Sequence, residues 1–254
     1  VVLILLVTLA FQLKAEGEFV AAESYVGSEQ CIDCHAEEYE QWKGSDHEMA
    51  MKHATEESVL ADFNNATFEF EGKTNRFFKK GDEFWVNIQG PDGKFHDYQI
   101  NYTFGYDPLQ QYMVEFEDGR VQLIPFAWDS RSAESGGQRW YHLYPKMEVT
   151  DEFYWTNTGQ NWNFMCADCH STNLKKNYDP ETNRYASTWS EINVGCEACH
   201  GPANEHMAWA KAQNSNEPST NTLVHFGFDR DLSKAVTEWV YKEGSSTLQP
   251  ASIE

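Results

Sequence analysis

Three pentapeptides hold every cysteine in the chain: Cys31-Ile32-Asp33-Cys34-His35, Cys166-Ala167-Asp168-Cys169-His170 and Cys196-Glu197-Ala198-Cys199-His200. The composition would give roughly 0.005 matches to C-x-x-C-H by chance. The spacing suits one chemistry. Two thiols three positions apart reach the two vinyl groups along one edge of a haem and form thioethers. The adjacent imidazole is then carried over the porphyrin face, where it can bind iron axially. Cys31, Cys34, Cys166, Cys169, Cys196 and Cys199 are therefore expected to anchor three haem c groups, with His35, His170 and His200 as proximal ligands. A redox dithiol would explain the paired thiols but not the histidine. A zinc ribbon uses two pairs per metal and would leave one over.

Beyond the motifs stand His47, His53, His96, His142, His206 and His225, enough to close every iron with a second imidazole. His206 lies just after the third motif, near the start of a helix expected over 202–213 with Pro202 at its first position. The two axial nitrogens of one iron lie on opposite faces of a wide macrocycle, and so short a segment is poorly placed to supply both. As a ligand, His206 is expected to serve a different haem, which requires two haems close together. His47 sits on an expected helix within 35–56 and is a second candidate. His142, flanked by Trp140, Tyr141 and Tyr144, is a third. His53 reads as polar surface, and His96 and His225 as bystanders. Met49 and Met51 fit a core better than an iron.

The elements that must carry these groups are unevenly spread. Between the first motif and the second, the interval 67–130 alternates or concentrates β-favouring residues, punctuated by Gly72, Gly81-Asp82, Gly90-Pro91-Asp92-Gly93 and Asp118-Gly119. This predicts an antiparallel meander of five or six strands inserted into a helical and irregular haem-binding framework, an α+β class. The segments read as 1–22, an export signal lacking its start; 23–66, the first haem-binding segment; 67–130, the meander; 131–213, the second and third haem-binding segments; and 214–254, a linker and a helix over 229–244. The signal reading rests on the apolar run Val1–Phe11, which is too short to span a bilayer, followed by small residues suited to cleavage.

With 19 basic against 40 acidic residues the formal charge is −21, which argues against a nucleic-acid footprint and against adhesion to anionic lipid. Export and covalent haem agree, because c-type haem is attached outside the cytoplasm. The expected place of action is periplasmic or secreted, the expected partners are redox proteins, and no membrane association is indicated beyond the signal or anchor segment.

Taken together, several features resemble a known family. They are the first motif followed by Tyr39, Trp42 and S-x-H-x-x-A-M at Ser45–Met51; Asn161-Trp162-Asn163 before the second motif and Ser171-Thr172-Asn173 after it; and Gly201-Pro202 with His206 after the third. The chain resembles the multihaem c-type cytochromes related to the tetrahaem electron acceptor of hydroxylamine oxidoreductase. It is most similar to the branch in which such a module precedes tetratricopeptide repeats. The resemblance implies electron transfer through mainly bis-His haems, with His47, His142 and His206 at family distal positions. It also implies a fourth motif and helical repeats beyond Glu254. Tyr154 departs from the pattern, standing where a histidine is usual.

Function is therefore expected to be electron transfer through three haems of low potential, since bis-His ligation lacks the potential-raising methionine. Two alternatives stand beside it: a haem enzyme with one open iron acting on a small nitrogen or sulfur compound, and the haem-bearing module of a repeat-containing assembly protein.

Overall fold

Nine strands run between residues 51 and 142: β1 Met51–His53, β2 Ala66–Phe70, β3 Lys73–Lys80, β4 Glu83–Gln89, β5 Phe95–Ile100, β6 Tyr102–Phe104, β7 Leu109–Glu115, β8 Val121–Asp129 and β9 Arg139–His142. They form two antiparallel sheets in the order β2-β3-β4-β5 and β1-β6-β7-β8-β9. The computed structural model describes residues 25–214, 224–228, 238–242, 244–245 and 248–251. The expected signal at 1–22 lies outside these residues.

The single meander expected from sequence is in fact split. β2 to β5 are consecutive hairpins. In the first, Phe70 pairs with Lys73 across Glu71 and Gly72, whose φ values of 50° and 73° make the tight two-residue turn that matches strand twist. After Ile100 the chain crosses to the other sheet, which recruits β1 and β9 from outside 67–130. Phe77, Val86, Ile88, Ile100, Tyr112, Ile124, Phe126 and Trp140 from both sheets share one core, closed by Phe63 and Trp155.

The other face of the five-stranded sheet is also buried. On β7, Tyr112 and Val114 point into the first core while Met113 points into a second, with Met51, Tyr102, Val121, Leu123, Trp162 and Ala167. A strand covered on both faces needs no polar alternation. This accounts for β8, which is buried at eight of its nine positions.

Among the described residues the α-helices are few and short: α1 Ala36–Trp42, α2 Trp162–Met165, α3 Ala167–His170, α4 Cys196–His200 and α5 Asn204–Asn214. The helix expected over 35–56 ends at Trp42, just before Gly44 at φ 74°, and the chain then turns into β1. The helix expected over 202–213 is present as α5. Most of the helix expected over 229–244 falls outside the described residues. Its described part, Trp239–Tyr241 (β10), is a strand paired with Leu248–Pro250 (β11).

Candidate functional site

Each motif is one helical turn, with His35 N–H on the Cys31 carbonyl at 2.9 Å and Cys169 N–H on the Cys166 carbonyl at 3.1 Å. Such a turn sets residues three and four apart on one side. The first cysteine of each motif is half-buried and the second exposed, so the thiol pairs face outward. In the second and third motifs the first spacer residue faces inward, whereas Ile32 of the first is exposed. Ala167 is fully buried against the five-stranded sheet, and Glu197 is only 2 % exposed.

Glu197 joins distant segments. Its carboxylate accepts from the backbone N–H groups of Val26 and Gly27, ahead of the first motif, at 3.0 and 2.8 Å, and from Ala203 N–H, ahead of α5, at 2.8 Å. Ser28 Oγ accepts from Cys196 N–H at 2.9 Å and donates to Glu191. Gly195 makes room for that contact, because a Cβ there would lie 2.0 Å from Glu191 Oε2. Thr172, two residues past the second motif, donates to the Asn193 carbonyl at 2.8 Å and accepts from Gly195 N–H at 2.9 Å. The first and third motifs thus meet at one polar seam, which the segment just after the second motif joins through Thr172. Sequence reading named Thr172 and Glu197 only as parts of motifs and missed Ser28 and Glu191, because the hydrogen-bond partners of all four lie far away in the chain.

The seam brings the first and third motifs to the walls of one cavity of about 840 Å³, within the usual range for cofactor pockets of about 300–1,000 Å³. Cys31, Cys34, His35, Cys196, His200 and His206 all line it, with Tyr39, Met207, Trp209 and Phe228 as apolar wall. The His35 and His206 rings lie 6.1 Å apart, tilted by 31°. His206 Nδ1 lies 2.9 Å from the Phe226 carbonyl. A carbonyl can only accept, so Nδ1 carries the proton and the Nε2 lone pair of the neutral ring is free. Cys31 donates to the sulfur of Cys196. This bond, ahead of burial, raises the Cys31 thiol and draws Cys196 down to about 6. Burial first, then His206 and His35, lower the His200 imidazole.

The second motif is set apart on the sheet. Asn161 caps α2 by accepting from Phe164 N–H at 3.0 Å, and Asn163 accepts from Val121 N–H of β8 at 2.7 Å. His170 lies 4.5 Å from the Phe104 ring, its buried Nδ1 has no hydrogen-bond partner among the described residues, and burial lowers its pKa. Phe164 and Met165, immediately before Cys166, are about half exposed.

The other candidates are placed differently. His47 is exposed, and its carbonyl accepts from Val194 N–H at 3.2 Å, beside the chain entering the third motif. His142 sits on β9 with its ring 4.8 Å from both Phe70 and Phe126, and its Nδ1 accepts from Tyr144 N–H at 3.0 Å. Its pocket, a cavity of about 80 Å³, is lined by no residue of the three motifs. His53 is exposed against Tyr102, and His96 pairs with Asp92 on the surface. Among the described residues no three His, Cys, Asp or Glu side chains converge on one point as a metal cage. Paired thiols with one imidazole beside each pair fit a covalently held haem.

A family model, cytochrome c554 and c-prime, matches residues 30–75 and 137–201. The chain is similar to this cytochrome family over all three motifs. The match implies covalently bound haem c, and it skips 76–136, which holds most of the strands of both sheets. Among solved structures, the outer cell wall cytochrome OcwA aligns at 21 % identity over 75 % of this chain and 34 % of its own, with a TM-score of 0.45. The chain spans about a third of that protein's length. No curated protein matches the chain. No helix among the described residues is long and apolar enough to cross a membrane.

Proposed function

We propose that the chain is an electron-transfer cytochrome acting outside the cytoplasm, carrying haem c on each of its three motifs and exchanging electrons with redox proteins. When bound, haem c supplies reversible one-electron chemistry at iron. The residues of the chain fix spacing, supply axial ligands and exclude water. In this reading His35 and His206 would hold one iron between them, and the first and third motifs would hold neighbouring haems in the shared cavity. His47 is proposed for one of the other two irons. His142 is left out, because its Nδ1 lone pair is already engaged and its pocket contains no motif residue.

The observation that supports the pairing is the distance between rings. Two imidazoles bound to one metal at about 2 Å each hold their centroids roughly 6 Å apart, and His35 and His206 stand at 6.1 Å. His206 lies too close to His200 along the chain to share its iron readily, which leaves a neighbouring haem for it.

Intact-mass measurement and a pyridine haemochrome assay on protein made with competent maturation machinery are expected to count three haems per chain. His206→Ala is expected to convert one low-spin haem to high-spin by electron paramagnetic resonance and to open that haem to carbon monoxide. Fewer than three haems overturns the count. Unchanged spin states in the variant overturn the ligand assignment. With His142 left out one iron has no assigned sixth ligand, so turnover of a small nitrogen or sulfur compound, beyond carbon monoxide binding at that haem, would favour the open-iron enzyme.

A further inference from the structure

The segment Val224–Gly227 has an unusual backbone. His225, Phe226 and Gly227 take φ values of 53°, 57° and 89°, three consecutive residues in the left-handed region. For residues with a Cβ this conformation is unfavourable, and it persists only where the surroundings hold it. Here the surroundings are α5. Gly227 is buried so closely against it that a Cβ would lie 2.7 Å from His206 N and 2.8 Å from the Glu205 carbonyl carbon. The turn ends by presenting two groups to one side chain. The Phe226 carbonyl accepts from His206 Nδ1 at 2.9 Å, and the Phe228 ring stacks on the His206 ring at 4.3 Å and 23°. Phe228 also reaches His200 at 5.6 Å, while the exposed Phe226 ring leans on Trp209 at 5.2 Å.

We infer that the turn 224–228 is an outer clamp on His206 that fixes its Nδ1-protonated tautomer and its ring plane. It would thereby set the potential and the ligand-plane angle of the haem shared with His35. The inference rests on the axial role of His206 proposed above. A ring nitrogen that donates to a carbonyl makes the opposite nitrogen a stronger donor to metal, and such partners orient the ligand. A stronger imidazole donor favours the ferric state and lowers the potential. Gly227 and Phe228 are positioning residues here. Gly227 permits the approach, and Phe228 holds the plane.

The test is made on the holoprotein. Gly227→Ala forces the turn away from the backbone of α5. It is expected to raise the midpoint potential of one haem, to shift one low-spin resonance signal and to leave the other two haems unchanged. Phe228→Leu keeps the backbone and removes the stacked ring. It is expected to shift the same signal with less change in potential, and it decides the matter if Gly227→Ala loses haem or fails to fold. If both variants keep all three potentials and all signals at wild-type values while His206→Ala turns one haem high-spin, the clamp is wrong and the ligand assignment stands. If His206→Ala also changes nothing, the ligand assignment itself has failed.

Discussion

His142 shows what burial does to an imidazole. Packed between Phe70 and Phe126, it is pushed down to about 4 from an ordinary value near 6.5. Between those two values the unfolded chain takes up a proton that the folded chain refuses. Acidification therefore favours unfolding: stability falls as pH drops from 6.5 towards 4 and levels off below. Glu71 and Lys73 are the charged groups lining the same pocket. His142→Asn keeps a side-chain acceptor for Tyr144 N–H and cannot be protonated. Urea midpoints measured from pH 7 to pH 4.5 are expected to fall less steeply for the variant than for wild type; parallel curves would refute this account. At this scale the three thiol–imidazole turns were legible, because their spacing is written in five adjacent residues. The surroundings of the remaining histidines were not. His142 and His206 look equally suitable in the sequence, and only tertiary packing separates a ring facing a cavity from one closed in by phenylalanines.

At the scale of elements, the helices bearing the motifs are one to two turns long and could not persist alone. They are held from below, α3 by Ala167 on the sheet and α4 by the Glu197 carboxylate. Removing that carboxylate strands the N–H groups of Val26, Gly27 and Ala203. Glu197→Ala is therefore expected to cost about 3 kcal/mol, a buried donor without a partner costing about 1–3 kcal/mol. Thermal denaturation of the holoprotein measures it, and a melting temperature equal to wild type would sink the argument. Thr172→Val is expected to cost about 1–2 kcal/mol for the same reason. The strands themselves were readable from β-favouring residues and turn glycines. Their division between two sheets was not, since nothing local in Ile100-Asn101-Tyr102 announces a change of partner, and β1 lies in a stretch whose pattern suggested helix.

At the scale of the molecule, a formal charge of −21 gives the chain a strong negative field. Such a field draws cationic partners in and repels anionic ones, and added salt screens both effects. The rate of reduction by a small cationic mediator is expected to fall several-fold between about 10 mM and about 500 mM salt, and that by an anionic mediator to rise. Stopped-flow traces at the Soret band measure both, and rates independent of salt would show that the electron entry point lies away from the negative surface. Charge of this kind was legible from composition alone, whereas the entry point depends on which motif edges lie open.

The polar seam also constrains the order in which the molecule is made. Val26, Gly27 and Ser28 bond to residues more than 160 positions later, so the cavity has no closed wall until both ends of the domain exist and meet. Contacts so distant along a chain form late. Porphyrins joined by thioethers to the first and third motifs would therefore be threaded onto an open polypeptide, with the N-terminal segment docking afterwards like a latch. In that sequence the pigment is a part around which the protein closes, and apoprotein lacking it is expected to leave the N-terminal segment open to proteases.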